Sequence, residues 1–250
     1  MIDIILCGCG GHMGAFVAKC VESRDDMRIV AGIDIYGGEP GKFPVYTSFA
    51  DVTEKADAVI DFSNPAALSS LLDYCTAKSV PAVICTTGLS EEQKQEIADA
   101  SKKIPVFFSA NMSLGVNLIC ELAKTAAKVL GNSFDIEIVE AHHNQKLDAP
   151  SGTALMIADC ISDSLDYDAV YEYDRHSKRE KRSKTEIGIH SVRGGTIVGE
   201  HEVIFAGNDE IIKISHSARS KALFATGAVN AAAFLCGREP GLYSMADMIR

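Results

Sequence analysis

Two histidines and a lysine within five residues, His142, His143 and Lys146, put two proton donors and a fixed cation on one short segment. Just downstream, Ser151-Gly152-Thr153 offers hydroxyls and backbone N–H groups at a helix start, where those groups lack intrahelical partners. Such a terminus cradles a carboxylate. A ligand with more than one carboxylate suits this arrangement, and it would favour the charged imidazolium, an acid usable near neutral pH. A surface histidine pair and an ordinary Ser-Gly-Thr cap explain the same letters. No cysteine or carboxylate at metal-site spacing accompanies the histidines, so no metal is expected.

A second group of residues lies near the start of the chain. Gly8, Cys9, Gly10, Gly11, His12, Met13 and Gly14 fall between an apolar run and a helical stretch. Glycines there allow a tight turn and let the backbone approach a pyrophosphate. The spacing departs from the strict G-x-G-x-x-G, because Met13 holds the sixth place and the last glycine comes one later. Asp34 follows at the end of the next apolar run, where a carboxylate accepts hydrogen bonds from an adenosine ribose. It would repel a 2′-phosphate, and its neighbour Ile35 supplies no cation. NADH is therefore the expected cofactor, with NADPH possible if Lys42 reaches back across the 37–42 loop. Three further loops, 61–65, 86–88 and 109–112, follow strand ends and suit a nicotinamide riboside, although ordinary turns explain each as well.

The elements that must carry these residues come in two styles. Strands are expected at 2–7, 28–33, 56–62, 80–86 and 105–109, with helices at 15–23, 65–78 and 90–103; Ser90 and Gln93 supply a capping box for the last. Strand and helix alternating at this spacing predict βαβ units and a doubly wound parallel sheet. After residue 110 the pattern changes. Helices are expected at 117–130 and 153–164 and a strand at 134–141. Strands at 186–192, 196–206 and 211–217 then follow in succession, read as an antiparallel meander with turns at Gly194-Gly195 and Gly207-Asn208-Asp209. The expected fold is α/β: an N-terminal Rossmann-type domain plus a C-terminal α+β domain with a mixed or antiparallel sheet. Residues 113–218 form the second domain. The alanine-rich helix 222–236 folds back, so the first domain comprises 1–112 and 219–250.

At 250 residues, one large domain or two modest ones are expected. The formal net charge of −10 argues against binding nucleic acid through overall charge. Eight scattered cysteines with no C-x-x-C pair read as free thiols of a reducing compartment. The short apolar start lacks the basic leader of a signal peptide, and no apolar run approaches a membrane span. A soluble cytoplasmic protein is expected. The basic run Arg175, Lys178, Arg179, Lys181, Arg182 and Lys184 reads as a solvated linker sooner than an anion-attracting loop. His190, His201 and His216 read as structural or interfacial.

The segment from Glu140 to Leu155, with its H-H-x-x-K-x-D-A-P-S-G-T signature, resembles that of the 4-hydroxy-tetrahydrodipicolinate reductases, also called dihydrodipicolinate reductases, of bacterial lysine biosynthesis. The likeness extends through Gly8–Gly14, 61–65, 86–88 and 109–117, and through the stretches 187–195 and 198–201. It implies NAD(P)H-dependent reduction of a cyclic imine dicarboxylate, with loss of water, by a homotetramer. It implies His142 as the proton donor and Lys146 as a second proposed donor. His143, Lys146, Ser151, Gly152 and Thr153 fall on substrate-binding positions. Gly8, Cys9, Gly10, Gly11, His12 and Met13 fall on the cofactor loop, and Asp34 on the ribose acid. Cys85, Thr86, Thr87, Ser109, Ala110, Asn111 and Met112 fall near the nicotinamide. Four positions depart from the family pattern: His12 stands for arginine, Ile35 for a basic residue, Cys85 for glycine and Met112 for an aromatic. Two other readings share the layout: a Rossmann dehydrogenase acting on an amino acid, and a non-catalytic nucleotide sensor, which would leave 142–153 unexplained.

Overall fold

The structure, a computed structural model, describes residues 1–37 and 42–249. The chain opens with β1 (Ile2–Cys7), α1 (His12–Glu22), β2 (Met27–Ile33), β3 (Val45–Tyr46), β4 (Ala58–Asp61), α2 (Leu68–Lys78), β5 (Ala82–Ile84), α3 (Glu91–Ala100) and β6 (Pro105–Phe108). It continues through α4 (Leu114–Leu130), β7 (Asp135–His142), α5 (Gly152–Ser162), β8 (Val170–Glu172), β9 (Glu186–Arg193), β10 (Gly199–Ala206) and β11 (Ile211–Ala218). It closes with α6 (Ala222–Leu235), β12 (Gly241–Tyr243) and α7 (Met245–Ile249). Two compact units result, Met1–Leu114 with Lys221–Arg250, and Gly115–Ser220.

The first unit holds a seven-stranded sheet in the order β12-β6-β5-β4-β1-β2-β3, parallel throughout. Its central strands are apolar on both faces because helices cover both. Alternation along β1 sends Ile4 and Leu6 to a core shared with α1 and α6, and Ile5 and Cys7 to a core shared with α2 and α3. The N-terminus of α3 carries the capping box, Ser90 Oγ accepting from Gln93 N–H while the Gln93 side chain accepts from Ser90 N–H. The expected 65–78 helix opens instead with a 3₁₀ turn, Pro65–Ala67, because Asn64 caps a tighter turn there. Strand order reverses beside β1, with β4 on one side and β2 on the other. Ligands of such sheets bind beyond the strand ends at this reversal.

The second unit holds a five-stranded mixed sheet in the order β11-β10-β7-β9-β8. The expected three-stranded meander is wrong in one pairing. Strands β10 and β11 form an antiparallel hairpin, but β9 and β10 are separated by β7, which runs parallel to β9 and antiparallel to β10. Residues 194–198 are long enough to span the roughly 10 Å across one intervening strand, so the glycine pair there makes a crossing and not a tight turn. That crossing is tied to the end of β7: Gly194 N–H donates to His142 O at 2.9 Å, and Asn144 N–H donates to Gly195 O at 3.2 Å.

Strand β7 alternates strictly, and its inward residues are Ile136, Ile138, Glu140 and His142. The first two join the apolar core under α4 and α5. The last two carry polar groups onto the same buried face. The basic run is stapled to this sheet. Arg175 pairs with Glu186 at 2.6 Å, Lys178 pairs with Glu172, and Arg182 reaches Glu137 at 2.9 Å and Ile136 O at 2.7 Å. Much of its charge is therefore neutralised by acidic partners of the same unit.

Candidate active site

In the first unit, the loop after β1 is shaped by what its glycines lack. Gly8 has φ +77°, and a Cβ there would lie 2.5 Å from Phe62 O. At Gly14, inside the first turn of α1, a Cβ would lie 2.3 Å from Gly8 O. The helix N-terminus can approach the loop this closely because that side chain is missing. Gly10 N–H donates to Asp34 Oδ2 at 3.0 Å, and Tyr36 N–H donates to Asp34 Oδ1 at 3.1 Å. The Asp34 carboxylate, expected at a ribose, is thus held by two backbone N–H groups. A cleft of about 400 Å³ opens over Gly8, Gly10, Gly11 and Asp34, with Ser63 and Asn64 on its other wall. Glycines that close the loop on a helix N-terminus, an acid at the end of β2 and this cleft fit a dinucleotide.

The rest of the expected cofactor set does not line that cleft. Cys9 turns its sulfur toward Gly32, where a Cβ would meet it at 2.6 Å, so it serves the loop through its backbone. His12 is exposed at the start of α1, and Met13 packs into the core. Thr86 is buried and donates to Asp61 Oδ2 at 2.7 Å; Asp61 also accepts from Ser63 N–H at 3.0 Å and from the Ser63 hydroxyl. That buried carboxylate joins two of the predicted loops. Cys85 is packed against the core, and burial, aided by Asp61, pushes its thiol far up. Thr87 and Ala110 are exposed. Ser109 Oγ donates to Asn111 O at 3.1 Å, and Met112 is buried, its carbonyl against Gly227 of α6. Lys42 pairs with Glu22 at 3.0 Å, so its ammonium is engaged away from Asp34; residues 38–41 of that loop lie outside the described residues.

In the second unit the functional groups are side chains held by one another. His142 Nδ1 lies 2.6 Å from Glu140 Oε2. Glu140 is fully buried and receives a bidentate guanidinium, Arg193 Nη1 at 2.8 Å and Nη2 at 2.7 Å, with Ser151 N–H at 3.2 Å. Burial pulls its carboxyl up, but the bonds from Arg193, Ser191 and His142 outweigh that and hold it down at about 2. Arg193 Nη2 also donates to Asp148 O at 2.6 Å, and the Asp148 carboxylate pairs with Lys146 at 2.9 Å. The resulting chain of contacts joins His142, Glu140, Arg193, Asp148 and Lys146.

Behind it, Ser151 caps α5 by accepting from Ala154 N–H at 3.2 Å, and its Oγ lies 3.1 Å from His201 Nε2. The His201 ring meets His142 edge-on, centroids 5.3 Å apart. Burial, then repulsion from His142, pushes His201 down to about 4, so it is neutral near pH 7. Gly152 is exposed, and the space beside its Cα is open. His143 is half-buried, and its carbonyl accepts from Lys146 N–H at 3.2 Å; Thr153 is half-buried in the first turn of α5.

Of the residues expected in this unit, His142, Lys146 and Ser151 enter one network. Three of its members, Glu140, Arg193 and His201, carry no expected site role on sequence grounds. Glu140 had a usable signal, because its i, i+2 spacing to His142 on a strand places both on one face. Arg193, 53 residues from Glu140, and His201 have no such local signal.

Residues 2–112 match the family model described as dihydrodipicolinate reductase, N-terminus, and residues 115–249 match its C-terminus. The chain is 54% identical to a 4-hydroxy-tetrahydrodipicolinate reductase of Caldanaerobacter subterraneus subsp. tengcongensis, over 100% of this chain and 99% of that one. It is 48% identical to one from Clostridium novyi, with the same coverage. Among solved structures, a dipicolinate-bound dihydrodipicolinate reductase from a Paenisporosarcina species superposes with a TM-score of 0.84 at 26% identity, covering 100% of both chains.

Proposed function

The chain belongs to the dihydrodipicolinate reductase family, and on that footing we propose that it reduces 4-hydroxy-tetrahydrodipicolinate to tetrahydrodipicolinate in lysine biosynthesis. The observation that carries this reading is the charged network of the second unit. A histidine bonded to a buried carboxylate shares a segment with Lys146 and the open N-terminus of α5.

The reaction removes the 4-hydroxyl as water and adds one hydride and one proton to the conjugated imine. A bound NADH would supply the hydride. Gly8, Gly10, Gly11 and Gly14 would hold its pyrophosphate against α1, and Asp34 would accept the ribose hydroxyls. Because Asp34 would repel a 2′-phosphate and Lys42 is paired with Glu22, NADH is the preferred cofactor and NADPH a poorer one. His142, hydrogen-bonded through Nδ1 to Glu140, delivers the proton from Nε2 to the substrate carbon that gains electron density. Lys146 leaves Asp148 for a substrate carboxylate. Gly152 and Thr153 at the start of α5, with His143 beside them, hold the ligand's negative charge. The first unit is the dinucleotide-binding domain, and the second binds substrate and assembles a cytoplasmic homotetramer.

Mixing the protein with NADH and freshly made synthase product, while following NADH absorbance, tests the reading. Consumption of NADH that dipicolinate inhibits competitively against substrate is expected. Binding of NADH without its consumption would overturn it.

A further inference from the structure

The proton and hydride transfers leave Glu140 and Arg193 with no direct part, yet two hydrogen bonds join them where Glu140 is fully buried. A fully buried carboxylate is tolerated when every oxygen is satisfied, and here both are. The guanidinium keeps Glu140 ionised throughout the neutral range. An ionised carboxylate accepts and never donates. The hydrogen in the 2.6 Å contact with His142 therefore sits on Nδ1 in both protonation states of the ring. Exchange with substrate is left to Nε2.

The surroundings of Nε2 agree with that assignment. A Cβ at Gly199, the first residue of β10, would lie 3.0 Å from Nε2 and 3.4 Å from Cδ2. With glycine there, no side chain from that position covers the edge of the ring that must meet a ligand. Arg193 has a second contact, Nη2 to Asp148 O at 2.6 Å, and Asp148 in turn holds Lys146. One guanidinium is thus bonded both to the carboxylate that orients the imidazole and to the segment that carries the ammonium.

We infer that Glu140 and Arg193 are positioning residues for this site. Glu140 fixes His142 with its hydrogen on Nδ1 and Nε2 as the edge that exchanges protons, and Arg193 holds Glu140 and the Lys146 segment in one frame. This positioning role deepens the proposed reduction and rests on His142 being its proton donor.

The test uses the full chain labelled with ¹⁵N, and the His142 ring is assigned by comparison with His142→Gln. In the native protein the neutral ring should show a protonated Nδ1 and a bare Nε2. In Glu140→Gln that preference should be lost, because an amide can donate as well as accept, and kcat should fall about 10²-fold while substrate KM stays within about threefold. Arg193→Lys serves if Glu140→Gln does not fold. It keeps a cation beside Glu140 but cannot span both carboxylate oxygens and Asp148 O, so it should keep the Nδ1–H form while KM rises about tenfold. A neutral native ring with its hydrogen on Nε2 and Nδ1 bare, or Glu140→Gln with unchanged tautomer and kcat within twofold, overturns the inference. If the native protein shows the Nδ1–H form but consumes no NADH, the proposed reaction fails and the positioning pair stands. Turnover in a protein whose neutral His142 ring carries its hydrogen on Nε2 does the reverse: the reaction stands and the positioning role fails.

Discussion

The two units prepare for negative charge by opposite means. In the first, the cleft is made by absent side chains: a Cβ at Gly8 or Gly14 would press into backbone oxygens at 2.5 and 2.3 Å. The groups offered to a ligand there are backbone N–H groups and a single backbone-held carboxylate. In the second, the site is a connected set of charged side chains, buried at Glu140 and open toward Lys146. A backbone cradle binds a phosphate without exchanging a proton with it. Titratable side chains are needed where a bond to hydrogen forms. If, as proposed, one region holds the cofactor and the other does the chemistry, substitutions in the two should separate binding from turnover.

After the proton donor itself, the largest effect that tests this contrast is expected at Lys146. Replacing it with methionine removes a fixed charge from the proposed anion site, so kcat/KM should fall about 10²-fold with NADH affinity unchanged. Loss of NADH binding in that variant would break the division of labour. In the first unit, Gly8→Ala adds a strained positive φ and a contact with Phe62 O. NADH Kd should rise about tenfold, as read by fluorescence titration, while kcat at saturating NADH stays near native.

A third effect is on stability. His201 sits at about 4 in the folded protein against 6.5 when unfolded, so it is held neutral. As pH falls from about 6.5 to 4 the unfolded chain takes up a proton that the folded one resists, costing about 3 kcal/mol. Thermal melts should show this loss and show it reduced in His201→Gln. Glu140 contributes in a separate window: its stabilisation is complete above about 4.5 and is lost as pH falls toward about 2. The smallest effect is expected at Asp34, where Asp34→Ser should shift the NADH-to-NADPH ratio of kcat/KM toward NADPH by several-fold, since repulsion of a 2′-phosphate is relieved at a half-buried, partly screened carboxylate.

What sequence reveals differs between the regions for the same reason that their chemistry differs. The first unit is written locally: the apolar run of β1, the glycine loop after it and Asp34 at the end of β2 are near neighbours in sequence, and their spacing is readable. Its short strands β3 and β12, of two and three residues, are too brief for any period to register. The second unit depends on pairings that spacing does not encode. Three successive strands suggest a meander, yet β7, distant in sequence, inserts between β9 and β10. The same insertion brings Arg193 to Glu140. His142, Lys146 and Ser151 are visible in one segment; Arg193, which bonds Glu140 and Asp148 O, and His201, which meets Ser151 and His142, come from other strands.

The most direct test measures kcat and NADH Kd side by side in His142→Gln. If His142 is the proton donor, turnover falls by about 10²–10⁴-fold with NADH affinity within about twofold of native. Turnover unchanged from native would contradict that role.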